Sequence, residues 1–339
     1  HMRKQLTIGV LGLCLTMISG FVKAQVDPHF SQYYMYPMWL NPALTGAIDG
    51  EYRVNALYRS QWSSFGGGYT TTGLSFDAPG KKTFNFGGNL LNQAAGDGGY
   101  NFTNAYGSIS YTGIKFGKAG NHQIHMGLQI GLINRRINPA KFQFGSDWNP
   151  VTGYVQGSGT PEAFAATSKT SFDAGFGALY FDADPEKKVN IYGGFSVGHI
   201  TRPRDPFILS SSEARVLPMR WNFHGGVRIQ VNESTVIVPN FVYLRQGNAY
   251  ETMLGGYVQL NANAVTDVLF GANLRFNDAL VPYAGVTYNN FTFGISYDAN
   301  VTNLRKLGNG GANSFELTLS YTKKRANQVA PQFLRCPRL

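Results

Sequence analysis

The stretch NHQIHMGLQIGLINR, residues 121–135, decides the fold of this chain. His122, Ile124, Met126, Leu128, Ile130 and Leu132 take every second position, and Asn121, Gln123, His125, Gly127, Gln129 and Gly131 take the positions between them. Successive side chains of a strand point to opposite faces, so the segment has one greasy face and one polar face. The same period returns in VNIYGGFSV (189–197), in NFTFGISY (290–297) and in NSFELTLSY (313–321). In the last of these, Phe315, Leu317, Leu319 and Tyr321 alternate with Ser314, Glu316, Thr318 and Ser320.

A soluble two-layer sandwich also alternates, so the period leaves two all-β architectures open. The segments run close to the ~9–11 residues that carry a tilted strand across a bilayer. They end in aromatic residues and carry glycine on the polar face, as strands of an outer-membrane barrel do. Charged residues make up only 14% of the chain, yet beyond residue 24 no apolar run reaches the ~18 residues of a membrane helix, which excludes a helical membrane protein.

About fourteen such segments start near Glu51, Tyr69, Thr83, Asn104, Asn121, Ser171, Lys188, Val216, Ser234, Tyr250, Ala264, Leu280, Asn290 and Ala312. The number is even, as a closed bacterial barrel requires. Alternate connections are short: PGKK (79–82), GKAG (117–120), DADPEKK (182–188) and QVNE (230–233). The others include QAAGDGGYN (93–101) and the longer spans 136–170, 201–215 and 298–311. Short periplasmic turns and long outer loops are the barrel pattern. The expectation is a transmembrane outer-membrane β-barrel of about 14 antiparallel strands over residues 51–322, with both chain ends on the periplasmic side.

The flanks complete this organisation. Residues 1–24 combine Arg3 and Lys4, the apolar run LTIGVLGLCLTMISGFV and the small residue Ala24, which together describe a secretory signal. Beyond it the chain has one cysteine, Cys336, so no intramolecular disulfide framework is possible. Residues 25–50 open with QVDPHFSQYYMYPMWLNPALTG, which fits neither helix nor strand. Leaving Phe30, Tyr33, Trp39 and their neighbours in water would cost free energy, so this segment should pack inside the lumen or against the periplasmic rim. Asp27, Gln32 and Asn41 would meet polar barrel wall. Residues 323–339 form a basic tail, with Lys323, Lys324, Arg325, Arg335 and Arg338 and no acid. Either a solvated stop or a docking tail for a periplasmic partner satisfies that composition.

Local matches to enzyme motifs fail on geometry. GFSVG (194–198) has the spacing of a nucleophile elbow, but HITRP follows it and Pro203 blocks the helix such an elbow needs. Ser196 and His199 are three apart on a strand, hence on opposite faces. His122 and His125 share that spacing and cannot chelate one metal from a straight strand. GNGGANS lacks the Lys-Ser/Thr of a phosphate loop. No catalytic residue, metal site or cofactor is expected. The net charge of +10 does not imply nucleic acid, because an exported barrel meets none in its normal place.

The chain resembles the PorP/SprF family, associated with type IX secretion and gliding motility of Bacteroidetes. The resemblance is carried by DPHFSQYYMYPMWLNPALTG (27–46), YRSQW (58–62), FGALYF (176–181), FSVGHITRP (195–203), PNFVYLRQ (239–246), residues 295–321 and the ending CPRL. It implies a multi-pass outer-membrane protein, not an enzyme, that helps to secrete or anchor surface adhesins. Its partners would be a secreted adhesin or its C-terminal sorting domain, type IX components, peptidoglycan-associated periplasmic proteins and outer-membrane lipid. The residues expected to meet partners or form the plug are Asp27, Phe30, Gln32, Tyr33, Trp39, Asn41, Arg59, Trp62, Lys323, Lys324, Arg325, Cys336 and Arg338. The rival reading is a channel for a small apolar substrate.

Overall fold

The computed structural model describes residues 27–63, 67–80, 83–96, 99–142, 147–155, 166–204, 207, 216–302 and 313–325. The signal segment, Cys336 and Arg338 lie outside them. The strands are β1 (Tyr52–Gln61), β2 (Tyr69–Ala78), β3 (Phe84–Ala95), β4 (Tyr100–Phe116), β5 (His122–Ile137), β6 (Trp148–Asn149), β7 (Gly153–Tyr154), β8 (Ser168–Asp182), β9 (Val189–Gly198), β10 (Arg220–Gln230), β11 (Thr235–Gln246), β12 (Ala249–Asn263), β13 (Thr266–Arg275), β14 (Ala279–Tyr288), β15 (Phe291–Asn300) and β16 (Ser314–Lys323). Among the described residues all but β6 and β7 join one closed antiparallel barrel of fourteen strands, in which β1 pairs with both β2 and β16. Closure leaves no sheet edge in lipid, which is how a β-structure satisfies its backbone in a bilayer. The pair β6 and β7 is a small ribbon within the connection from β5 to β8.

The two-residue period sorts the side chains as expected. On β5, Met126, Leu128, Ile130 and Leu132 are exposed on the outside, while Gln123, His125, Gly127 and Gln129 are buried in the lumen. Aromatic rings gather where the outer wall meets the short-turn end: Tyr52 packs on Phe76 and Tyr321, Phe84 on Tyr111, and Phe291 on Tyr321. Such rings suit the boundary between hydrocarbon and water.

Three of the long connections are shorter than the sequence reading makes them, and the one between β9, which ends at Gly198, and β10, which starts at Arg220, is longer. Strand β5 continues to Ile137, β8 starts at Ser168, β15 runs to Asn300, and β4 starts at Tyr100 rather than Asn104. Above the lipid band the outward residues become polar while Ile133 and Ile137 are buried on the inner face, so the apolar positions change faces and the lipid-facing period stops while the ladder persists. Asn134 hydrogen-bonds Thr170 across β5 and β8 at 2.9 Å, where a lipid-facing pair would be apolar.

Residues 27–46 are all buried inside the barrel. The segment folds as a 3-10 turn at Tyr33–Met35, a single α-turn at Pro37–Leu40 and a second 3-10 turn at Pro42–Leu44. Proline at the first position of the last two sets φ for helix and removes a donor the turn leaves unused. The Asn41 side chain accepts from the Ala43 amide at 2.9 Å and caps the third turn.

The segment runs the full depth of the lumen. The Gly46 amide donates to Asp77 at the short-turn end, whereas Asp27 meets Gln246, His199 and Arg220 at the long-loop end. This corrects the expectation that the chain's opening segment faces the periplasm. Strand β1 does begin at the short-turn end, but the plug reaches it from the opposite mouth. Burial of rings and charges together requires a path past the whole polar wall, and a rim strap would leave most of that wall unmatched.

Glycines on the lumenal face make room for the plug. A Cβ built at Gly127 would collide with the Pro42 and Ala43 backbone, and one at Gly177 with the Asn41 side chain. On the lipid side, a Cβ at Gly107 meets nothing nearer than the Ile130 carbonyl at 4.0 Å. Gly127→Val should therefore destabilise the folded barrel by about 1–3 kcal/mol through overpacking, and Gly107→Ala should be neutral. Urea titration of heat-modifiable gel mobility measures both, and equal midpoints for the two variants would contradict the close fit.

Candidate functional site

The lumen is closed by two charged networks near the long-loop mouth and an aromatic layer below them. The first network centres on Ser31. Its hydroxyl donates to Asp298 at 2.6 Å and accepts from Arg59 at 2.8 Å and Arg275 at 2.6 Å. Arg59 also pairs with Asp298 at 2.7 Å and Glu316 at 3.0 Å, and Arg275 with Asp278 and Glu251. Glu316 accepts the backbone amides of Ser31 and Gln32 at 2.9 and 2.8 Å. The plug thus supplies backbone donors to a wall carboxylate that faces the lumen because of the strand period.

The second network joins Asp27 to the ends of β8, β9 and β10. His199 lies 2.6 Å from Asp27 through Nε2 and 2.7 Å from Asp173 through Nδ1. An imidazole bridging two carboxylates donates from both nitrogens, so it carries a charge. Asp173 also accepts from Tyr106 at 2.6 Å and Thr201 at 2.7 Å. His199 adopts φ 57, the left-handed region, which turns the chain sharply as it leaves β9.

Burial alone would push the Asp27 carboxyl up, but the charge and hydrogen bond of His199, with Arg220 added, hold it at about 2. Burial likewise opposes a charged His199, and the Asp27 charge together with hydrogen bonds to both carboxylates raises it to about 9. Arg220 completes this layer. It donates to Asp27 and to the Trp39 carbonyl, both at 2.9 Å, and its guanidinium lies 3.9 Å from the Trp39 ring centroid. A desolvated cation–π contact of this kind contributes about 2 kcal/mol.

Below the charges, Phe30 packs edge-on against Tyr36 and Trp39, and Tyr34 packs against Tyr257 and Tyr283. The Tyr33 hydroxyl donates to Asn240 at 2.7 Å, and Trp39 Nε1 donates to the Pro28 carbonyl at 3.0 Å. Asn41 donates to the Ala178 carbonyl at 3.0 Å. The arrangement binds a polypeptide segment of the chain itself and fills the lumen with it. Ser196 donates to the Leu40 carbonyl at 2.6 Å, so it and His199 both serve the plug.

The family described as type IX secretion system membrane protein PorP/SprF matches residues 22–321. The chain belongs to the PorP/SprF family. Solved structures similar to it include the toluene transporter TbuX of Ralstonia pickettii, at TM-score 0.53 and 8% identity, covering 86% of this chain and 93% of that one. The toluene transporter TodX of Pseudomonas putida is similar at TM-score 0.50 and 10% identity, with 88% and 95% covered. The CymD monoaromatic hydrocarbon channel gives TM-score 0.50, 8% identity, 88% and 95%. At these identities the likeness is one of fold, a membrane β-barrel of the outer-membrane kind. Comparison with curated protein sequences gives no match.

In this PorP/SprF chain, Asp27, Phe30, Gln32, Tyr33, Trp39, Asn41 and Arg59 come together in the lumen. Trp62 does not join them. It sits at the long-loop end, with its ring against Tyr69 at 5.9 Å. Lys323, Lys324 and Arg325 lie exposed at the opposite end, where Lys323 pairs with Glu51 at 2.9 Å and Arg325 donates to the Gly50 carbonyl. Asp173, Arg220, Glu251, Arg275 and Asp298 are lumenal residues that the sequence reading does not single out. Their signal is a charge at a polar-face position toward one shared end of the barrel, in strands otherwise poor in charge.

Trp39→Ala removes a ring enclosed by Phe30 and Arg220 and should cost about 3–5 kcal/mol, read as a lower temperature for the heat-modifiable shift and faster proteolysis. Unchanged migration and cleavage would count against enclosure. The pH response follows from linkage. His199, raised from its ordinary 6.5, contributes in full below pH 6.5 and loses its contribution as pH rises through about 9. Asp27, lowered from its ordinary 3.8, contributes in full above pH 3.8 and loses its contribution as pH falls through about 2. The shift temperature should peak between these limits and decline through pH 9 in the parent. His199→Gln should lower the peak and flatten that decline, and an unaltered alkaline slope would exclude the bridge as its source.

Proposed function

We propose that this barrel is a closed, non-enzymatic scaffold of the type IX secretion apparatus in the outer membrane, which holds or passes on an exported surface adhesin through its outer loops. The observation that carries this reading is the lumen, occupied from mouth to mouth by residues 27–46 and locked by the ion pairs of Asp27 with His199 and Arg220. A barrel filled in this way works at its two ends. At the outer end, the ribbon of β6 and β7 exposes Trp148 at 63% and Val151 at 90%, apolar surface far from the lipid band that suits a protein partner. At the other end, Lys323, Lys324 and Arg325 begin the basic tail, which suits type IX components and peptidoglycan-associated periplasmic proteins.

A second reading rests on one specific observation. A small pocket between plug and wall has apolar lining from Phe30, Trp39, Val242, Leu244 and Met253, together with the polar His29, Arg220, Asn222 and Glu251. It suits a small apolar guest, and the toluene transporters share the fold. Carriage of such a molecule requires the plug to move.

Replacing residues 147–155 by a short Gly-Ser link should leave the barrel inserted while a specific surface protein is lost to the medium. Truncation after Lys323 keeps β16 whole, removes the rest of the basic tail, and should weaken co-purification of periplasmic partners in a salt-dependent way. Comparative surface proteomics and native pull-down read both variants. If every surface protein and partner is retained while toluene uptake falls, the transport reading replaces this one.

A further inference from the structure

Strand β8 is paired unequally on its two sides. Its ladder with β5 extends to Arg136↔Ser168, but its ladder with β9 spans only Phe176↔Val197 to Phe181↔Tyr192. Above that point Ile200 donates to the Ala174 carbonyl and the Thr201 hydroxyl donates to the Phe172 carbonyl. On the β5 side, the Thr167 carbonyl accepts from Ile137. Backbone groups of an antiparallel strand alternate between its two sides, so Thr170 and Ser168 turn their amides and carbonyls the same way as Phe172 and Ala174. No described residue pairs with them there. Both residues are exposed, and their outward neighbours Asn134 and Arg136 are polar, which puts this short open edge in water above the lipid band.

Beside the edge lies a pocket lined by Arg135, Lys169, Arg204, Ser171, Pro203 and Leu217. Among the described residues, three cations and no carboxylate line it. Arg135 is held by the Tyr100 hydroxyl at 3.4 Å and lies 5.3 Å from the Phe207 ring centroid. Arg204 is fixed by its bridge to Val216, and Leu217 donates to the Pro203 carbonyl at 2.8 Å. Arg136 and Arg202 add exposed positive charge around the rim.

We propose that this seam is a docking site for an extended polypeptide segment, which pairs its backbone with Ser168 and Thr170 and seats a carboxylate between Lys169 and Arg204. An open edge alone takes any strand, and a cationic pocket alone takes any anion. Their adjacency selects an acidic strand, the mode in which main-chain bonds give affinity and a neighbouring pocket gives specificity. The inference names the partner chemistry for the outer face and so rests on the scaffold reading. Its test is a binding measurement on the isolated protein, separate from the surface-protein comparison, so each can fail without the other.

The probe is a fluorescein-labelled ten-residue peptide alternating Thr or Val with Glu, titrated against the full chain in detergent by anisotropy. Thr170→Pro removes the edge amide without touching the β5 ladder, a position where proline is tolerated. Lys169→Glu with Arg204→Glu reverses the pocket charge, and Lys324→Glu at the far end is the control. Each of the first two should weaken binding about tenfold or more, with the control at parent affinity and heat-modifiable migration intact. Amide exchange over residues 166–175 should slow when the peptide is added, which tests the edge even if Thr170→Pro does not fold. The proposal is overturned if the parent does not bind the peptide, or if a Gln version binds equally well. It is also overturned if exchange is unchanged and vesicles carrying lipid A displace the peptide fully, since the pocket then serves a phosphate headgroup.

Discussion

A hydroxyl at Ser31, two guanidiniums from Arg59 and Arg275, and the carboxylates of Asp298 and Glu316 meet inside a protein whose outer surface is hydrocarbon. Each of these charges would be expensive to bury alone, and breaking one such pair by removing a partner costs about 3–5 kcal/mol. Together they offset one another's charge, and the plug adds the Ser31 hydroxyl and the Ser31 and Gln32 amides to the set. Wall and plug therefore share one set of bonds. That sharing explains why the lumenal face carries charges near its mouth and glycine at mid-depth: the first bind the segment and the second make space for it.

The fold was legible in residues 121–135 and their repeats, because lipid on one side and packed polar groups on the other impose a period of two on every strand. Strand count and connection parity followed from the same rule. Strand ends above the membrane were not legible. At Asn134, Arg136 and Thr170 the outer face meets water while Ile133 and Ile137 are buried on the inner face, so the apolar positions change faces and the lipid-facing period ends before the hydrogen-bonded ladder does. Family membership was legible in the opening D-P-x-F-S-Q-Y stretch, which the structure explains as a segment buried along its whole length against the wall.

The site was legible by half. Burial of Phe30, Tyr33 and Trp39 follows from their apolar area, and no further information is needed to expect it. Their partners are another matter, since Arg220 and Asp173 reach Asp27 and His199 only through register and barrel closure. His199 illustrates the limit. Read along the strand it lies on the face opposite Ser196, yet it follows the end of β9, and a left-handed turn in its own backbone brings it into the lumen beside the plug, where it bridges two carboxylates, one of them more than a hundred positions away.

The plug is bonded to both strands of the closing seam, to β1 through Arg59 and to β16 through Glu316. A chain bearing Tyr33, Tyr34, Tyr36 and Trp39 is too bulky to thread through a finished cylinder packed this tightly. In the finished protein the sheet is closed around the segment, which fills the ring as a mandrel fills a sleeve. Its girth then sets the circumference, and a strand fewer or a strand more would leave the ring either unable to close or loose around an unfilled gap.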